Sequence, residues 1–163
     1  HLRPTSDRVR ESLFSMLVHR GVIEGARVLD LFAGTGALGL EALSRGAASA
    51  VLVENGRVGA RLIEDNLKKL GAAEVARLMR LDATRLPAVD ASQAAGFDLI
   101  FLDPPYGKAM GQKALAAARD GGWVAPGACI VWEENARQTA PAGFLVLDAR
   151  RFGDTHVTLL EAT

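Results

Sequence analysis

Four acidic residues, Asp30, Glu54, Asp82 and Asp103, each close a separate strand-like run, and helical patterns lie between those runs. Strands are expected near 27–32, 49–54, 75–81, 97–102 and 128–133, with helices near 38–45, 57–70, 84–90 and 109–120. An amphipathic helix over 6–18 precedes them, with Val9, Leu13, Met16 and Leu17 on one face and Thr5 or Ser6 as its cap. Gly46 and Gly71 stand where helices should stop. Repeated strand-helix-strand crossovers specify an α/β fold with a mainly parallel sheet covered on both faces. The chain ends differently, because the apolar runs 144–148 and 156–160 are joined through 151–155, too short a link for a crossover helix. They should pair antiparallel. Ligands of open parallel sheets bind at the carboxyl edge of the strands, so four acids gathered there suggest a composite site rather than four unrelated polar strand ends.

The first strand runs into Asp30-Leu31-Phe32-Ala33-Gly34-Thr35-Gly36 and then into the helical pattern Leu38, Leu40, Ala42, Leu43. Gly34, Gly36 and Gly39 satisfy the spacing of a dinucleotide fingerprint, which keeps a nicotinamide or flavin enzyme open. A carboxylate four residues before the first of these glycines favours a cationic ligand instead. S-adenosylmethionine has a sulfonium and an ammonium group, and its own carboxylate suits the amides at a helix start. Glu54 has the position of an acid that holds ribose hydroxyls, and Asp82-Ala83 that of an acceptor for an adenine amino group.

Asp103-Pro104-Pro105-Tyr106 directly follows the run Phe97–Leu102. Proline locks its own φ and confines the preceding residue to extended backbone, so the Asp103 carboxylate and Pro104 carbonyl are presented in one stiff arrangement. Two fixed acceptors beside an aromatic ring are what chemistry on the exocyclic amino group of a nucleobase requires. A proline turn closing a strand is the plainer alternative.

With 163 residues, 49% of them apolar, the chain is long enough to bury one core, and a single domain over 1–163 is expected. No apolar run has the length of a bilayer span and no signal peptide is visible, so the expected location is the cytoplasm. Cys129, within an apolar run, reads as a small buried hydrophobe. His1, His19 and His156 are scattered without ligand spacing, so no metal is expected. The 19 basic and 19 acidic residues balance, although 1–20 hold Arg3, Arg8, Arg10 and Arg20 against Asp7 and Glu11. That local excess suits phosphate contacts or an ordinary solvated helix face.

These motifs resemble the S-adenosylmethionine-dependent methyltransferases that act on exocyclic base amines. More narrowly, Arg3-Pro4-Thr5-Ser6-Asp7-Arg8-Val9-Arg10-Glu11-Ser12-Leu13-Phe14 together with Gly36–Gly46 resembles the RsmD family, bacterial 16S ribosomal RNA guanine-N2 methyltransferases. The resemblance implies a Rossmann-like class-I methyltransferase fold, a mainly parallel seven-stranded sheet with a C-terminal antiparallel hairpin. It implies cofactor contacts from Asp30, Phe32, Gly34, Gly36, Glu54, Asp82, Ala83 and Asp103, and catalysis by Asp103, Pro104 and Tyr106. Substrate contacts fall to Arg3, Thr5, Arg8, Arg10, Pro105 and Tyr106, with residues 1–20 helping to bind RNA. A monomer acting on 16S ribosomal RNA, within an assembling small subunit, is expected. Family members commonly begin with a glycine- and arginine-rich segment ahead of Arg-Pro-Thr, and often have an Asp two residues after the ribose-binding Glu, where this chain has Gly56. An adenine-N6 methyltransferase, a nucleotide-binding oxidoreductase and a non-catalytic cofactor-binding module remain open alternatives.

Overall fold

The computed structural model describes residues 6–163. Seven strands form one sheet in the order β3-β2-β1-β4-β5-β7-β6. β1 (Arg27–Leu31), β2 (Ser49–Val53), β3 (Ala76–Met79), β4 (Phe97–Leu102) and β5 (Val124–Glu134) are parallel. β6 (Phe144–Phe152) and β7 (Thr155–Ala162) form the expected hairpin, and β7 lies antiparallel against β5. An antiparallel strand inserted beside β5 departs from the wholly parallel order of dinucleotide-binding sheets.

Helices α1 (Asp7–Arg20), α2 (Ala37–Ser44) and α3 (Arg57–Leu70) cover one face, and α4 (Met110–Asp120) with a short 3₁₀ turn at Ala83–Arg85 covers the other. α1 starts at Ser6, whose Oγ accepts from the Val9 amide at 3.3 Å, and stops at Gly21, whose φ of 71° few other residues tolerate. Its buried stripe is Leu13, Phe14, Met16 and Leu17, so Phe14 takes the share expected of the half-buried Val9. The Phe14 ring packs 5.6 Å from Phe101 on β4. In α3, Gly59, Ala60, Ile63 and Leu67 recur on one side and are buried; full burial of Ile63 alone is worth about 1.5–3 kcal/mol. Cys129 is buried in the α1 face of the sheet, and burial pushes its thiol up to about 11.

The helix expected at 84–90 does not form. That stretch holds a 3₁₀ turn at Ala83–Arg85 and then extended chain, with a second turn at Ala91–Gln93. Pro87 forces Leu86 into extended backbone (ψ 134°), and Asp82 and Asp90 each accept from an amide two residues on, which closes turns instead of propagating a helix.

Candidate active site

The parallel register aligns Leu31 with Val53 and Leu102, and Val53 with Met79. Glu54 and Asp103 are therefore the first residues beyond two aligned strand ends, and Asp82 is the third beyond Met79. All three line a cavity of about 540 Å³ at the carboxyl edge, as do Phe32, Pro105 and Tyr106. The remaining wall comes from Val53, Asn55, Leu81, Ala83, Lys108 and Met110. Val53, Leu81 and Ala83 give it an apolar flank and the acids a polar one, the mixture that a nucleoside needs.

Glu54 clasps two turns. Its Oε1 accepts from the Gly34 amide and its Oε2 from the Gly56 amide, both at 2.9 Å, which ties the β1-α2 turn to the β2-α3 turn. Each oxygen keeps a lone pair able to accept from a hydroxyl. Asp82 Oδ1 accepts from the Thr84 hydroxyl at 2.7 Å and from its amide at 2.9 Å, and these bonds hold the carboxyl below its usual range. Phe32 carries a φ of 59°, a left-handed conformation costing an aromatic residue about 1–3 kcal/mol, and lines the cavity at the end of β1. Asp103 follows β4 directly and is half-buried; Pro104 is buried, whereas Pro105 and Tyr106 reach the cavity.

Asp30 occupies a different place from the other acids. It lies one residue inside β1, where strand alternation turns its side chain onto the face covered by α2 rather than over the edge. Only 1% exposed, it accepts from the Gly39 amide in α2 through Oδ2 at 2.9 Å and does not line the cavity. Gly34 and Gly36, both at positive φ, shape the turn and are likewise not part of the cavity wall. On the amino-terminal side Arg8 is exposed, while Arg10 is held by Asp7 at 2.8 Å and lies 3.8 Å from Glu41. Arg3 and Thr5 lie outside the described residues.

Burial drives the Asp30 carboxyl well above the usual carboxylate range; the Gly39 amide opposes this, and Asp103, Glu133 and Glu54 reinforce it. A raised folded pKa means that the native chain holds the extra proton, so the stability contributed is complete below the unfolded value, about 3.9, and is lost as pH rises through the folded one. Asp30→Asn removes the titration and keeps an acceptor for Gly39. In paired urea unfolding curves the parent should lose ground to this variant between pH 4 and pH 8; a constant difference across that range would refute the assignment.

Lys108, Asn55 and Met110 were not identifiable from sequence, since nothing in their spacing marks them; loop closure brings them to the cavity. Gly111 is another such residue. A Cβ there would stand 2.6 Å from Trp132 Nε1, so α4 meets the buried β5 tryptophan through a bare backbone directly after the Asp103–Tyr106 turn. Gly111→Ala should cost about 1–3 kcal/mol by overpacking, read as a lower urea midpoint at unchanged slope. Among the described residues no group of three or more His, Cys, Asp or Glu side chains could hold a metal ion, and no helix is long and apolar enough to cross a membrane.

Residues 1–161 match the family model described as "Conserved hypothetical protein 95". The Escherichia coli K12 protein named "Ribosomal RNA small subunit methyltransferase D" is 41% identical over 146 residues, 88% of this chain and 71% of that protein. Its Haemophilus influenzae namesake is 37% identical over 136 residues, 81% of this chain and 67% of that protein. Among solved structures, the Escherichia coli protein yhhF superposes with a TM-score of 0.83 at 36% identity, covering 99% of this chain and 88% of its own. The Haemophilus influenzae methylase HI0767 gives 0.79 at 30% identity, covering 98% of this chain and 99% of that one. Sequence, sheet order and the acid-lined carboxyl edge thus agree, and the chain belongs to the ribosomal RNA small subunit methyltransferase D family of methyltransferases.

Proposed function

We propose that this chain transfers a methyl group from S-adenosylmethionine to the N2 amino group of a guanine in 16S ribosomal RNA, as one methyltransferase domain over 1–163. The observation that carries the reading is the meeting of Glu54, Asp82, Asp103 and Tyr106 around one cavity at the carboxyl edge. The donor set fits the cofactor: a bidentate carboxylate for ribose hydroxyls, a second carboxylate beside an apolar flank for adenine, and Phe32 as a wall. When bound, S-adenosylmethionine supplies the electrophilic methyl.

A guanine amino nitrogen is a poor nucleophile, because its lone pair is delocalised into the ring. Asp103 and the Pro104 carbonyl accept its two hydrogens, which turns the lone pair out of conjugation, and the carboxylate stabilises the positive charge that develops and takes the released proton. Tyr106 stacks on the flipped base, worth roughly 1–3 kcal/mol against the cost of extrusion. The rigid proline pair lowers the entropy cost of this arrangement. The substrate is an assembling small subunit in the cytoplasm, and the enzyme acts as a monomer with Arg3, Thr5, Arg8 and Arg10 near the RNA. Incubation of labelled S-adenosylmethionine with ribosomal RNA and, in parallel, with partly assembled small subunits, followed by mass spectrometry of the nucleosides, should yield N2-methylguanosine in at least the subunit reaction. N6-methyladenosine as the sole product would overturn the base assignment, and absence of any methylated nucleoside from both substrates would overturn the reading itself.

A further inference from the structure

The carboxyl edge continues past the cavity. β5 ends where β7 begins, with Glu134 in register with His156 and His156 with Arg151, so the β6-β7 turn stands on the same edge as Asp103. Trp132 packs on the α4 face and pairs with Thr158, and alternation puts His156 and its partner Arg151 on that face too. Beside Thr158, the Gln138 amide donates to its Oγ1 at 3.4 Å, and Gln138 Oε1 accepts from Gln112 of α4 at 3.0 Å, which fixes the turn that presents Arg137. Arg137, Arg151, His156 and Thr158 line a cleft of about 220 Å³ from the α4 face, which Arg150 and its partner Val157 reach from the α1 face.

Three carboxylates lie near the three arginines: Asp148, Asp154 and the buried Glu134, whose Oε2 accepts from the Trp132 indole at 3.2 Å, so the cleft is set apart by where its cations stand and not by net charge. Arg150 is committed to Asp148 at 3.0 Å, which Arg20 also approaches at 3.4 Å. Arg151 meets Asp154 only at 3.9 Å between exposed side chains, a pairing worth little in water, and Arg137 makes no ion pair among the described residues. At about 4.8 Å per strand, β7 and β6 lie roughly 10 and 14 Å from β4. That is the reach of a few nucleotides from a base held at Asp103.

We propose that this cleft is a phosphate subsite for the RNA strand flanking the flipped base, gripped by Arg137 and Arg151 with His156 beside them; the inference rests on the RNA-methyltransferase reading above. Guanidinium forks match phosphate oxygens bidentately, and the cleft shares both edge and face with the α4 side of the base cavity, where Lys108 adds a further cation. An acidic polypeptide would use the same charges, but nothing about it requires them to flank a base pocket.

The test is binding of 16S ribosomal RNA, as a transcript and within partly assembled small subunits, as a function of salt, with methyl transfer measured alongside. Arg137→Ala/Arg151→Ala should weaken binding at least tenfold and raise KM for RNA. It should also lower the magnitude of the log-log salt slope by about 1.4, at roughly 0.7 per single-strand phosphate contact. Arg137→Lys/Arg151→Lys should recover most of the slope, Arg77→Ala on the far edge strand should change nothing, and cofactor affinity should be constant throughout. If the parent binds and methylates the RNA and the double alanine variant keeps its affinity and slope, the subsite is wrong and the functional reading stands. A parent that binds neither the transcript nor the subunits overturns both. Polyglutamate competing for the cleft as well as RNA does would overturn the subsite in favour of a protein partner.

Discussion

Asp103→Ala is expected to reduce single-turnover methyl transfer by on the order of 10²-fold or more while leaving most cofactor affinity in place. Asp103 follows the aligned end of β4, and Pro104 restricts its backbone to extended conformations, so the carboxylate is held before any substrate arrives. An acceptor in a fixed place contributes mainly as the amine gains positive charge and releases one proton, which makes the loss a loss of rate. Asp103→Asn sharpens the test, because it keeps an acceptor oxygen but cannot take the proton or balance positive charge. Its rate should fall between those of parent and alanine variant. A folded Asp103→Ala protein with near-parental single-turnover rate would remove the residue from the chemistry and leave the Pro104 carbonyl and Tyr106 stacking to explain the turn.

Much of this architecture was legible because the apolar periodicity and the stopping residues agree. α3 falls on the expected 57–70, where buried positions recur at helical spacing and Gly71 closes the last turn; β4 falls on 97–102, an apolar run ended by Pro104. The misreadings have local causes. The 84–90 stretch has helix-forming residues but contains Pro87, and Asp side chains capture the neighbouring amides. β5 starts four residues earlier than expected: Pro126 and Gly127 sit where the β4-β5 register shifts between Phe97 and Leu99, and an irregularity absorbs them. The hairpin strands are longer than expected because Gly153, at φ 62°, needs only a two-residue turn with Asp154.

Among the acids, a residue just past a strand end was readable as part of the edge. Asp30 was not distinguishable from the rest without strand parity, which a shift of one residue reverses. Lys108 and Gly111 depend on how α4 docks against Trp132, a long-range packing outcome that no local window contains.

Glu54→Ala should produce two separate losses. In the apo protein the Gly34 and Gly56 amides each give up a charge-assisted bond of 2.9 Å, and the two turns they belong to are no longer tied together, so stability should fall by about 1–3 kcal/mol. Calorimetric affinity for S-adenosylmethionine should fall by a further 1–3 kcal/mol, roughly 5- to 150-fold, as the ribose hydroxyls lose their acceptor. The neighbourhood leaves few ways to compensate. A Cβ on Gly59 would meet the Gly34 carbonyl at 2.8 Å and Glu54 itself at 3.0 Å, so backbone already closes on this carboxylate and a larger neighbour cannot take its place. Glu54→Gln separates the roles: one oxygen still accepts from an amide, but the new NH₂ faces the other amide as donor against donor, so it should remain destabilised while recovering part of the affinity. Lower stability with unchanged affinity in Glu54→Ala would reduce this residue to a staple between turns and move ribose recognition to Asn55 or Asp82, the polar groups that share the cavity wall with it.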